Sequence, residues 1–258
     1  MTQPSTKKAS RKRLFRMRQR RYMKRGLRLV PNMFTLGNAF FGFCSLVLAA
    51  HGEPAMSAYF ILLGALLDAL DGRMARLMGV CSPFGVQLDS LCDFLSFIIA
   101  PAFLAYMAEL KMFGIFGFAV SSLFVLAGVV RLARFNITNE EQTVFFLGVP
   151  STIAGCFIAS SLIMLQFNPR LHMFSVLIPF CIVILAYLMI SSLRFPTFKH
   201  LSKKSYIWAS IFIVGCIVSM GLINVLFSLF LLYFVWGFTS FFTNKLTKYR
   251  THKALKIK

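Results

Sequence analysis

Asp68, Asp71, Asp89 and Asp93 supply half of the eight acidic residues in a chain of 258, and all four fall in one 26-residue stretch, DALDGRMARLMGVCSPFGVQLDSLCD. Carboxylates are costly to keep in hydrophobic segments, so they are paired, metal-bound or functional there. Asp68 and Asp71 stand three apart and Asp89 and Asp93 four apart, so each pair projects along one face of a helix. Gly79 and Pro83 between the pairs supply a turn that returns the chain antiparallel, and two such helices can point four carboxylates into a common cavity. Four like charges would repel there without compensating protons or cations. Hard divalent cations with oxygen ligands answer that need, which makes Mg2+ or Mn2+ the expected cofactor. The alternative is that the acids pair with Arg73, Arg76, Arg131 and Arg134.

The residues between the acids suit a phosphate. Gly72 directly follows Asp71, where the missing side chain lets a phosphate approach the backbone, and Gly85 opens the next helix near the same mouth. Either glycine can instead serve close helix packing, as is expected of Gly64 and Ala65. Arg76, one turn beyond Gly72, can neutralise a diphosphate through its planar donors, or act as an ordinary anchor at the membrane edge.

The elements that must hold these residues are membrane helices. The chain is 58% hydrophobic, with 30 Phe and only 14% charged residues, too apolar for a water-soluble domain of average composition. Apolar runs of about 17 to 25 residues are long enough to span a bilayer. They fall near 33 to 51, 55 to 74, 86 to 108, 112 to 133, 149 to 168, 172 to 192, 206 to 221 and 223 to 243. The expected fold is all-α, a polytopic bundle of about eight transmembrane helices over 31 to 243, flanked by basic tails at 1 to 30 and 244 to 258.

With the first helix leading outward, 26 of the 28 Lys and Arg residues lie on one side, Lys111 and Arg170 being the exceptions. By the positive-inside rule both termini and the acidic cluster are then cytoplasmic. The N-terminal tail places Phe15, Tyr22, Met23, Leu27 and Val30 near one helical face, which suits a basic amphipathic helix on anionic lipid; a solvated topology signal is the plainer reading. A net charge of +20 raises the question of nucleic acid, but no aromatic platform or binding module accompanies it. The first apolar run is a full span and not a short signal-peptide core. The six cysteines form no C-x-x-C pair and the four histidines are scattered, which disfavours zinc or a redox pair and suggests that the cysteines pack as small apolar groups.

The acidic stretch reads D-x2-D-G-x2-A-R-x8-G-x3-D-x3-D, and in every fixed position it resembles the signature of the CDP-alcohol phosphatidyltransferases. The resemblance implies a core of six membrane helices that dimerises around a cavity open to the cytoplasm. It implies that Asp68, Asp71, Asp89 and Asp93 ligate the divalent metal, that Asp93 is also the general base, and that Gly72, Arg76, Ser82 and Gly85 hold the CDP moiety. PNMFTLGNAFFGF at 31 to 43 looks like the first helix of that superfamily, with Asn32 and Thr35 facing the nucleotide. Asn38 stands where many members carry Arg. That departure, with RLARFN at 131 to 136 and FLGVPST at 146 to 152, resembles the phosphatidylserine synthase branch.

That branch implies CDP-diacylglycerol and L-serine as substrates, with phosphatidylserine and CMP as products. Arg131 and Arg134, with Asn136 beside them, are the candidates for binding the serine carboxylate; positive-inside anchoring would also account for both arginines. Two rival functions remain at this level. A sibling transferase acting on choline, glycerol 3-phosphate or inositol phosphate would share the aspartates. An ion-coupled transporter would more naturally place its acids at midmembrane on broken helices.

Overall fold

A computed structural model of the chain describes residues 31–79, 82–138, 145–168, 173, 175–191 and 194–196. Among the described residues seven α-helical segments follow one another: α1 (Pro31–Ala50), α2 (Pro54–Met78), α3 (Pro83–Phe94), α4 (Ala100–Ala108), α5 (Ile115–Thr138), α6 (Ser151–Phe167) and α7 (Ile178–Ile190). A π turn, Leu95–Ile99, joins α3 and α4 into one span, Pro83–Ala108. Four described helices are long and apolar enough to cross a membrane, and two shorter apolar ones follow, so the chain is an integral membrane protein with an all-α bundle.

Proline punctuates this bundle because it lacks the N–H that a helix start leaves unpaired. Pro54 and Pro83 open α2 and α3, and Pro150 caps α6. Ser82 caps α3 by accepting a hydrogen bond from the Gly85 amide at 3.1 Å, which takes up one orphan donor of the first turn. Pro101 is different, since it stands inside a span and has no amide to offer the carbonyl four residues back. The wide turn just before it is the local solution: the Ala100 amide reaches back five residues to the Leu95 carbonyl. Such a turn bulges, and its neighbours make room. A Cβ on Gly42 of α1 would come within 2.9 Å of the Ser96 Cα, one on Gly128 of α5 within 2.6 Å of Ile98, and one on Gly155 of α6 within 2.6 Å of the Phe97 carbonyl.

Small residues at helix crossings are how membrane helices associate, because lipid gives no hydrophobic drive between them. Phe97, Ile98, Leu104, Phe124, Ile61 and Ile163 fill the centre. Buried Ser45 and Ser57 hydrogen-bond across α1 and α2 at 2.8 Å, a contact worth about 0.6 kcal/mol in a bilayer protein.

Several expected boundaries shift. The second span runs on to Met78 and the third begins at Pro83. The fourth begins at Ile115, after a 3-10 turn at Leu110–Phe113, and continues to Thr138. The fifth and sixth are shorter than the sequence pattern implies, because Pro150 delays one and a 3-10 turn precedes the other at Ile178. The last two expected spans and both basic tails lie outside the described residues. One feature has no precursor in the hydropathy pattern: strands Phe145–Leu147 (β1) and Arg194–Pro196 (β2) pair antiparallel, Phe146 opposite Phe195.

Candidate active site

The start of α1, the end of α2, the start of α3, the end of α5, the start of α6 and the end of α7 meet at one end of the bundle, as alternating helices must. The acidic stretch lies there. Asp68 and Asp71 come from the last turns of α2 and Asp89 from the second turn of α3, and one carboxylate oxygen of each lies within 4.8 Å of the others. Asp93, one turn further along α3, is within hydrogen-bonding reach of Asp68, which also feels the charges of Asp89 and Asp71. The four carboxylates therefore share one locus, with Asp93 beside the close trio.

Neighbouring side chains orient them. Thr35 Oγ1 on α1 donates to Asp71 Oδ2 at 2.7 Å, and Asp71 is buried. The Nδ2 of buried Asn38 donates to Asp93 Oδ1 at 3.4 Å. Of the residues assigned to the nucleotide by resemblance, Asn32 lies against Gly85, whose Cβ would sit 3.4 Å from Asn32 Oδ1, and Ser82 caps the same helix start. Gly72 follows Asp71 on α2. The Arg76 side chain is outside what the structure describes.

The trio suits a hard divalent cation. Its donors are all carboxylate oxygens, and opposed ligands of such an ion stand about 4.2 Å apart, close to the spread observed. Asp68, Asp71 and Asp89 would hold it, with Asp93 adjacent.

The arginines of α5 do more than mark the membrane edge. Arg131 is only 8% exposed; its Nε donates to the Val149 carbonyl at 2.6 Å and its Nη1 to Ser151 Oγ at 3.2 Å. Its charge also reaches Asp93. Arg134 Nη1 donates to the Ile190 carbonyl at the end of α7 at 3.1 Å, and Asn136 Oδ1 accepts from Ser90 of α3 at 2.9 Å. Arg131 thus ties α5 to the start of α6 while its charge is felt at Asp93, and Arg134 and Asn136 tie α5 to α7 and α3.

The FLGVPST segment explains itself in these contacts. Gly148 takes a φ of +77°, and a Cβ there would come within 2.6 Å of the Met189 carbonyl, so a side chain is excluded on both counts. That turn lets the Val149 amide donate to the Leu188 carbonyl at 3.2 Å while its own carbonyl receives Arg131. Asn38 and Ser151 are the residues whose contacts sequence reading did not assign. Their signal was present, since a polar side chain in an apolar span is costly without a partner, but the partner was not legible.

A membrane bundle that gathers carboxylates, phosphate-compatible glycines and a buried arginine at one end defines an integral membrane enzyme site. The family model for CDP-alcohol phosphatidyltransferase matches residues 28–188, and the chain belongs to that family. It is 36% identical over 217 residues to the CDP-diacylglycerol–serine O-phosphatidyltransferase of Helicobacter pylori (strain ATCC 700392 / 26695), covering 80% of this chain and 90% of the relative. The protein of the same name from Bacillus subtilis (strain 168) is 32% identical over 171 residues, 66% of this chain and 91% of the relative. The archaetidylserine synthase of Methanothermobacter thermautotrophicus is 35% identical over 170 residues, 65% of this chain and 69% of the relative.

Proposed function

We infer that the protein transfers the phosphatidyl group of CDP-diacylglycerol to L-serine, giving phosphatidylserine and CMP. The observation that carries this reading is the convergence of Asp68, Asp71 and Asp89 within 4.8 Å, beside Asp93 and at the end of the bundle where Arg131 is buried, in a family whose matched relatives bear the serine-transferase name.

Asp93 accepts the proton of the serine hydroxyl as that oxygen attacks the phosphorus carrying diacylglycerol. A new phosphorus–oxygen bond forms, the bridging bond of the diphosphate breaks, and CMP departs with the bonding pair. Asp68, Asp71 and Asp89, with Asp93 alongside, would hold Mg2+ or Mn2+, which when bound would neutralise charge on the diphosphate and the leaving group. Asn32, Thr35, Gly72, Arg76, Ser82 and Gly85 are the residues assigned to binding the CDP moiety. Arg131, its plane fixed by Val149 and Ser151, receives the serine carboxylate, with Arg134 and Asn136 holding the helix end that presents it.

The site faces the cytoplasm, the side that the basic residues favour, and there it serves an acyl-chain substrate from the lipid and a polar one from water. The 1 to 30 tail engages anionic lipid, and the enzyme works as a homodimer in a bacterial inner membrane.

The deciding measurement incubates purified protein with CDP-diacylglycerol, Mg2+ or Mn2+ and a panel of alcohols, and scores CMP. Release should require serine and a divalent ion and should stop with EDTA. Release with choline, glycerol 3-phosphate or inositol phosphate instead would reassign the acceptor, and indifference to EDTA would remove the ion. Replacing Arg131 by Lys keeps the charge but loses the fork. It should raise KM for serine about tenfold, the worth of one charge-assisted hydrogen bond, with a smaller change for CDP-diacylglycerol; the reverse pattern would unseat Arg131.

A further inference from the structure

We propose that Asn38 is a positioning residue for Asp93, fixing the orientation of that carboxylate through its side-chain amide, and that Gly64 is the residue that makes room for it. The proposal rests on the reading of Asp93 as proton acceptor.

Asn38 is 0% exposed in the middle of α1. Three contacts lock it. Its backbone carbonyl accepts from Ser96 Oγ at 3.0 Å, its Nδ2 donates to Asp93 Oδ1 at 3.4 Å, and its Oδ1 lies so close to α2 that a Cβ on Gly64 would stand 2.8 Å away. That Oδ1 has no hydrogen-bond partner among the described residues. A buried amide with one end unsatisfied is unfavourable, and a span position that merely filled space would be better served by an apolar side chain. The donor end is where the residue acts.

The chemistry also fixes which way the amide faces. Turned over, Asn38 would set its carbonyl oxygen against the Asp93 carboxylate and lose the one hydrogen bond its side chain makes. Asp93 meanwhile feels like charges from Asp68, Asp89 and Asp71, opposed by Arg131. Asn38 meets Asp93 from α1, and at 3.4 Å this is a long, weak hydrogen bond that biases the carboxylate without gripping it.

The test uses the full chain in detergent or nanodiscs, with Mn2+ binding read by electron paramagnetic resonance beside steady-state kinetics. Asn38→Ala should lower kcat about tenfold or more, while the KM values and the Mn2+ affinity stay within about threefold of the parent. Gly64→Ala should reproduce that signature by pushing the amide. The double variant should be no worse than Asn38→Ala alone, because the new methyl then occupies the vacated space. Asn38→Leu, which keeps apolar packing, repeats the measurement if the alanine variant does not fold.

Parental kcat in Asn38→Ala or Asn38→Leu, Mn2+ binding lost in proportion to kcat, or independent effects of the two substitutions would each overturn the proposal. The parent assayed alongside separates the two levels of inference. If it releases no CMP with any acceptor, the proposed function fails; if it does and the Asn38 variants match it, only the positioning role falls.

Discussion

Asp93→Asn should reduce serine-dependent CMP release by about 10²- to 10⁴-fold, the usual contribution of a positioned general base, without unfolding the bundle. An asparagine there still offers a carbonyl oxygen to Asn38 Nδ2, which now reaches Asp93 Oδ1, and its own amide can donate toward Asp68. It also removes one of four like charges that burden one another, so the melting temperature without divalent ion should hold or rise. Mn2+ affinity should weaken by less than about tenfold, because Asp68, Asp71 and Asp89 remain in place. Near-parental turnover would eliminate Asp93 as the base, and a collapse of Mn2+ binding would move it into the ligand set proper.

Asp71→Asn should give the opposite signature. Asp71 is one of the three residues whose oxygens converge, and it is buried beneath Thr35, which donates to it at 2.7 Å. The amide can keep the Thr35 contact, so folding should persist. The trio loses a charged ligand, however, and disturbing even the outer partners of a metal ligand costs about 10- to 100-fold in affinity. Mn2+ binding should therefore fall by at least about 100-fold and turnover should drop below detection. Excess Mn2+ should recover part of the activity. Parental Mn2+ affinity in this variant would show that the three carboxylates are not the ion's seat. Measured together, the two substitutions separate the residue that takes the proton from the residues that hold the ion.

Sequence spacing carried the acidic locus unaided, because the helical period decides which residues share a face and Gly79 and Pro83 decide where the chain turns. It also carried the class, since a chain this apolar, with half of its few acids in one stretch, has few soluble solutions. The boundaries were less legible. Hydropathy sees a window of apolar residues and not the Pro150 that postpones α6, nor the polar ends of α2 and α5, which continue as helix past the apolar windows to Met78 and Thr138.

What sequence alone determined is that two neighbouring spans offer four carboxylates at one end of a membrane bundle; both facts follow from local periodicity and composition. What only the tertiary structure decided is which distant residues complete that end. Arg131 meets Val149 and Ser151, Thr35 meets Asp71, and Asn38 meets Asp93 across 18 to 55 residues of chain. Those pairings depend on how close two helices can come at positions such as Gly64 and on where the π turn before Pro101 aims its neighbours. Close approach is a property of surfaces brought together from different parts of the chain, and no spacing within one helix encodes it.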